Sequence, residues 1–209
     1  MKNETIKRIL SSLIILPLIL FFTISGYIIF KIFVIIFLLI SSFEWYRLNK
    51  SKIFIILGII FLSLSSYSAI LLRGSSDQEL LLFLYIILVC VATDIGGYVF
   101  GRIFKGPKLT EISPNKTYAG VIGGYFLSLS SAFFFVNKYS ILNDNFELLI
   151  LTILISTVSQ LGDLSISYFK RLNKKKNTGN LIPGHGGLLD RADGIIFAIP
   201  FAYIVFYIF

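Results

Sequence analysis

The chain has 209 residues, 56% of them hydrophobic and only 14% charged, whereas soluble domains carry about 25% charged residues. With a mean hydropathy of +0.85, this composition excludes an ordinary soluble domain and indicates an integral membrane protein. The net charge of +8 does not indicate a nucleic-acid partner, because the cations are scattered between apolar runs and not interleaved with an aromatic platform.

A helix needs about 20 mostly apolar residues, within a range of about 17 to 25, to cross the hydrocarbon core. Seven runs qualify in chain order: Ile9 to Ser25, Tyr27 to Phe43, Ile53 to Leu72, Leu80 to Val99, Tyr118 to Val136, Leu148 to Ser165 and Leu188 to Phe209. The expected fold is therefore all-α, a polytopic helical membrane protein with about seven transmembrane helices. Lys2, Lys7 and Arg8 ahead of the first run resemble the start of a signal peptide. A second apolar run follows at once, so an uncleaved span is expected, forming a tight hairpin at Ser25-Gly26. Cys90 lies inside the fourth run and, as the single cysteine, forms no intrachain disulfide; it reads as a small packing residue.

Lysine and arginine placement sets the orientation of such proteins. With the amino terminus cytoplasmic, 16 of the 19 cations fall on the cytoplasmic side, and only Lys31, Arg73 and Lys138 fall outside. Both long polar loops, 100–117 and 166–187, then face the cytoplasm. The chain reads as one membrane domain, with amino-terminal helices over 1–93 and a chemistry-bearing part over 94–209. No internal repeat is evident.

The densest polar stretch is 162–193. It gathers three acids, six cations, the only histidine and a Pro183-Gly184-His185-Gly186-Gly187 turn into 32 residues. Asp163 ends an almost uncharged run, and Asp190 and Asp193 begin the last one. Carboxylates near a membrane boundary cost several kcal/mol, about 2.5 to 3.5 each at the centre, unless they are paired or hydrated. A divalent metal satisfies several at once, and Mg2+ is commonly held by one or two carboxylates plus substrate phosphates. The plainer alternative is interfacial ion pairing, Asp163 with Lys170 or Arg171 and Asp190 with Arg191. The glycine turn lets backbone N–H groups approach an anion and runs into a helix start, which favours phosphate. Lys174, Lys175 and Lys176 read first as a positive-inside anchor. Lys170 and Arg171, about two to three turns after Asp163 if the helix continues, are better placed to face the same site.

A second patch begins at Asp94, inside an apolar run with Gly96, Gly97 and Gly101, which permit close helix packing or a local break. It continues through Arg102, Lys105 and Lys108 to a Ser113-Pro-Asn-Lys116-Thr117 turn that offers hydroxyls and an ammonium to an anion.

Together the two patches resemble the phosphatidate cytidylyltransferase, or CDP-diacylglycerol synthase, family. The signature reads here as Ser167, Lys170-Arg171, Lys176-Asn177, Gly179, Pro183, His185-Gly186-Gly187, Asp190-Arg191 and Asp193, with the upstream Asp94-x-Gly-x-Tyr-x-x-Gly-Arg102 and Ser113-Pro-Asn-Lys-Thr117 segments. The resemblance covers residues 94–200. Asn177 stands where the pattern has Asp, Ala119 where Glu is common, and Ala192 where a larger apolar residue is usual.

The resemblance implies transfer of CMP from CTP to phosphatidate in phospholipid synthesis, in a bacterial cytoplasmic membrane with the site facing the cytoplasm. It implies Asp163 and Asp190 as Mg2+ ligands, with a second cation such as K+ at the phosphates. Lys170, Arg171 and His185 join those aspartates as catalytic candidates. Substrate contacts are expected from Asp94, Ser113, Lys116, Thr117, Lys176, Gly186, Gly187, Arg191 and Asp193. Membrane lipids are expected partners, and a homodimer is a conceivable assembly. The alternatives are a CTP-dependent polyprenol kinase and a non-catalytic transporter or lipid scaffold. The Asp-Gly-x-x-Ala-Arg motif of CDP-alcohol phosphotransferases is absent.

Overall fold

The computed structural model describes residues 17–114, 116–139, 145–179, 181 and 186–207. Residues 17–24 are helical, and the remainder of the expected first span lies outside the described residues. Seven named helices follow: α1 (Tyr27–Leu48), α2 (Lys52–Arg73), α3 (Asp77–Phe104), α4 (Tyr118–Tyr139), α5 (Asn145–Leu172), α6 (Leu189–Ala192) and α7 (Ile195–Tyr207).

Five of these, α1 to α5, are long and apolar enough to cross a membrane. Each has at least 22 residues, so each reaches about 33 Å or more at 1.5 Å per residue, against a hydrocarbon core of about 30 Å. Large apolar side chains cover their outer faces. On α1, for example, Ile28, Ile32, Ile35 and Leu39 are all more than half exposed. Their spacing traces one helix face, and such a continuous apolar surface needs lipid around it.

The expected seventh span is not one continuous helix. It is interrupted at Asp193-Gly194 into the four-residue α6 and the 13-residue α7. The Asp193 carboxylate accepts the Gly194 amide at 3.1 Å, a local side-chain bond that competes with the helical ladder. Gly194 also lies against Ser159 of α5, where a Cβ would strike the hydroxyl.

α5 packs against α3, α4 and α7. Polar rungs tie it to its neighbours inside the bundle. Tyr85 Oη meets Thr152 Oγ1 at 2.9 Å, Thr93 donates to Ser156 at 2.8 Å, and Tyr125 Oη meets Thr157 Oγ1 at 2.8 Å. A larger apolar cluster is built on Phe30, Leu72, Ile86, Val89 and Ile155. A second, built on Trp45, Leu48, Leu62, Ile166, Leu189 and Ile196, lies under the α6 end. Cys90 is fully buried in the first cluster.

The glycines of α3 serve packing and leave the helix unbroken. A Cβ on Gly96 would collide with the Gly123 carbonyl oxygen of α4, and one on Gly120 would lie 2.8 Å from the Gly97 carbonyl oxygen. The backbones of α3 and α4 are thus in direct contact. α3 starts with a capping box, in which Ser76 Oγ accepts the Glu79 amide at 3.2 Å and Glu79 accepts the Ser76 amide at 2.9 Å.

This contact makes a paired prediction. Gly96→Ala should destabilise the bundle by about 1 to 3 kcal/mol, because the obstructing atom belongs to backbone. Gly97→Ala, whose Cβ would have 3.7 Å to the Gly120 oxygen, should be tolerated. Thermal unfolding of the two variants in one detergent distinguishes them.

Candidate active site

α3 and α5 each run 28 residues toward the polar loops. Asp94 comes 17 residues after the first residue of α3, and Asp163 comes 18 after the first of α5, about 26 to 27 Å along each axis. The two carboxylates therefore stand at the same depth. They line a cavity of about 310 Å3 together with Ser113, Lys116 and Thr117 from the loop after α3 and Gln160 from α5.

The loop after α3 is folded back on itself. Leu109 donates to the Lys116 carbonyl at 2.8 Å, Lys116 to the Ser113 carbonyl at 3.0 Å, and Lys108 and Thr117 form an isolated antiparallel bridge. Thr117 Oγ1 then accepts the Gly120 amide at 3.1 Å and starts α4. This fold carries Lys116 Nζ to 2.6 Å from Asp163 Oδ2.

Because α5 continues unbroken through Leu172, Asp163, Ser167 and Lys170 share one face at helical spacing. Ser167 donates to Asp163 at 3.4 Å, and Lys170 Nζ reaches Asp190 Oδ1 at 2.8 Å. Arg171, the next residue, points about 100° away. It donates to the Ile112 carbonyl at 3.4 Å and the Lys175 carbonyl at 3.3 Å, tying the two polar loops together outside the cavity. Lys170 and Arg171 therefore do not face the same site.

Asp190 organises the glycine turn. Its Oδ2 accepts the Thr178 amide at 2.8 Å and the Gly187 amide at 2.9 Å. Gly186 has φ +89°, and a Cβ there would lie 2.7 Å from Asp190 Oδ2 and 3.0 Å from the Asn177 side chain, so glycine is required on both counts. Asn177, the departure from the signature, is exposed and lies against the same glycine. Lys176 is exposed. Pro183 and His185 lie outside the described residues.

Asp193 is buried at the α6–α7 break. Gly162 brings α5 close to it, since a Cβ there would lie 2.8 Å from the Asp193 carbonyl oxygen. Arg191 is exposed and close enough to act electrostatically on Asp94. Among the described residues, the charged groups that line the cavity are Asp94, Lys116 and Asp163. Among the described residues, no three His, Cys, Asp or Glu side chains converge as a complete metal-ligand set.

One residue of this region goes unread in the sequence. Glu44, near the end of α1, is buried and accepts the Leu188 and Leu189 amides and the Thr178 hydroxyl. The available signal was its isolation: it is the only acid between Arg8 and Asp77, and an ionisable residue in such a run marks a polar task.

Residues 50–209 match the model of the cytidylyltransferase family. The chain belongs to that family. The match extends the resemblance read from residues 94–200 upstream to residue 50. Among relatives named phosphatidate cytidylyltransferase, one from Rickettsia bellii is 31% identical over 217 residues, covering 98% of this chain and 91% of that protein. One from Bacillus subtilis is 37% identical over 157 residues, 75% of this chain and 58% of its own. A Brucella suis protein is 37% identical over 148 residues, 70% of this chain and 54% of its own, so the chain spans about half the length of that relative. In this cytidylyltransferase-family chain, both recognised patches fall in the matched region, and they meet at the cavity.

The buried pair makes a second prediction. The Lys170 and Asp190 side chains are only 11% and 8% exposed, so removing one partner strands the other. Lys170→Met should lower stability by about 3 kcal/mol. The double variant K170M/D190L should lose less than the sum of its two single changes, as measured by a thermal-denaturation cycle.

Proposed function

We propose that this chain is a phosphatidate cytidylyltransferase, which transfers CMP from CTP to phosphatidate and releases pyrophosphate. The observation that carries the reading is the convergence of Asp94, Ser113, Lys116, Thr117 and Asp163 on one cavity, with the Lys170–Asp190 pair on the same helix-loop unit. The phosphatidate cytidylyltransferase relative that aligns with nearly the whole chain supports it.

In the proposed reaction, a phosphate oxygen of phosphatidate attacks the α-phosphorus of CTP. The bond from that phosphorus to the oxygen bridging the β-phosphorus breaks, and pyrophosphate leaves with that electron pair. Both reactants are anionic, so the protein's task is to neutralise charge and align the two phosphates. Lys116, Lys170 and Arg191 supply cationic groups. Ser113 and Thr117 supply hydroxyls, and Gly186 and Gly187 supply backbone close to Asp190. His185 and Lys176 complete the proposed phosphate contacts, and Asp94 and Asp193 the acidic wall.

Asp163 and Asp190 fit Mg2+. Each already rests against an ammonium group, at 2.6 and 2.8 Å, and so occupies a position that favours positive charge. A site of this kind is completed by substrate phosphates. When bound, the metal would supply Lewis-acid stabilisation of charge on the phosphoryl oxygens. Lys116 and Lys170 are then free to turn from carboxylate to phosphate. A second cation such as K+ is part of the same proposal, at the phosphates.

The proposed topology has seven spans and a cytoplasmic amino terminus, with the cavity opening on the side from which CTP arrives. Phosphatidate keeps its acyl chains in the bilayer and brings its headgroup to the end of α5.

Purified protein with CTP, Mg2+ and phosphatidate should yield CDP-diacylglycerol and pyrophosphate in equal amounts. Asp163→Asn and Lys116→Met should each lower kcat by about 100-fold or more. A nucleoside diphosphate product would identify a kinase instead. For topology, a cysteine at the exposed Lys175 should resist a membrane-impermeant thiol reagent in intact cells and react after permeabilisation.

A further inference from the structure

Among the described residues ahead of α3, Glu44 is the one buried acid, and its carboxylate binds the signature loop. Its Oε1 accepts the Leu188 amide at 2.9 Å. Its Oε2 accepts the Leu189 amide at 2.9 Å and the Thr178 hydroxyl at 3.2 Å. Leu188 and Leu189 open the short helix that carries Asp190, and their amides are donors that a helix start leaves unmet by its own backbone. Thr178 in turn donates its amide to Asp190. The carboxylate of Glu44 therefore holds both strands of chain that grip Asp190.

The close approach is built into the surrounding residues. A Cβ on Gly187 would collide with Glu44 Oε2, and one on Gly179 would lie 2.7 Å from Oε1. Both glycines admit the carboxylate between the strands of the loop. The last turns of α1 add two further ties to the same loop. Asn173 donates to the Asn49 side chain at 3.2 Å, and Lys175 Nζ donates to the Arg47 carbonyl. Below, Trp45 fixes the height of Glu44 by donating to the Phe54 carbonyl at 2.8 Å and packing against Phe169 of α5. Residue 44 also precedes the region matched by the family model, which begins at residue 50.

We propose that Glu44 is a positioning residue for the transfer reaction. It touches no reacting atom and acts through Leu188, Leu189 and Thr178 to set where Asp190 and Lys170 stand. The proposal rests on the cytidylyltransferase reading above, and its test separates the two. Full-length protein reconstituted with phosphatidate is assayed for pyrophosphate release, and amide hydrogen exchange is followed in the same preparations. Glu44→Gln keeps one acceptor oxygen but turns an N–H group toward the remaining donors, and Glu44→Leu removes both acceptors. A displacement of about 1 Å at reacting groups costs on the order of 100-fold. The expected losses in kcat are accordingly about 10-fold for Glu44→Gln and about 100-fold for Glu44→Leu, with KM for CTP little changed. Exchange should quicken at Thr178 and Leu188 to Asp190 while the interiors of α3 and α5 stay as in wild type.

A folded Glu44→Leu protein with wild-type turnover overturns the proposal, as does a change confined to KM or an exchange increase spread evenly over the bundle. If Glu44→Leu does not fold, Glu44→Gln decides. Failure of both to fold assigns Glu44 to general stability and also overturns it. An inactive wild-type protein would instead overturn the cytidylyltransferase reading, and the exchange measurement would still report whether Glu44 holds the loop.

Discussion

Charge next to hydrocarbon must be met by opposite charge or by donors, and this requirement shapes the described end of the molecule that carries the cavity. Lys170 and Asp190 answer it across the gap between α5 and α6, and Lys116 and Asp163 answer it between α5 and the loop after α3. Each pair joins segments far apart in the chain. The same pairs that offset the cost of burying charge also bring the two polar patches to one place.

The remaining structure brings the segments that carry these pairs together. α3 and α4 meet backbone to backbone through Gly96, Gly97, Gly120 and Gly123, which brings the Lys116 loop over α5. Gly162 lets the α6–α7 break settle against the same helix, so Asp193 joins from a third direction. Glu44 holds the glycine loop from the α1 side. α1, which lies ahead of the matched family region, is therefore part of the scaffold that holds this loop. An apolar pocket lined by Trp45, Gly58, Phe169 and Leu189 adjoins α6.

Particular residues mark how far the chain could be read in one dimension. Asp163, Ser167 and Lys170 were legible as a unit, because helical spacing puts i, i+4 and i+7 on one face. Asp94 and Ser113 to Thr117 were legible as a patch, and their meeting with Asp163 was implied only by the family resemblance. Lys170 and Arg171 follow Asp163 at nearly the same helical distance, but consecutive helical residues diverge by about 100°, and the Arg171 guanidinium fastens loops instead. The seventh apolar run gave no sign of its break, since hydropathy averages over a two-residue interruption. Glu44 escaped notice because its three partners lie more than 130 positions away in the chain.

Composition and hydrophobic run length by themselves determined that this is a helical membrane protein, because crossing hydrocarbon leaves the backbone few ways to satisfy its own polar groups. The motif residues carried a resemblance to the family, and the match over residues 50–209 bears it out. Which carboxylate meets which lysine, which side chains turn away, and what holds Asp190 in place were decided only by the tertiary structure. Those outcomes depend on how closely helices approach, and that distance is set jointly by residues on separate segments, such as Gly96 with Gly123 and Glu44 with Gly187.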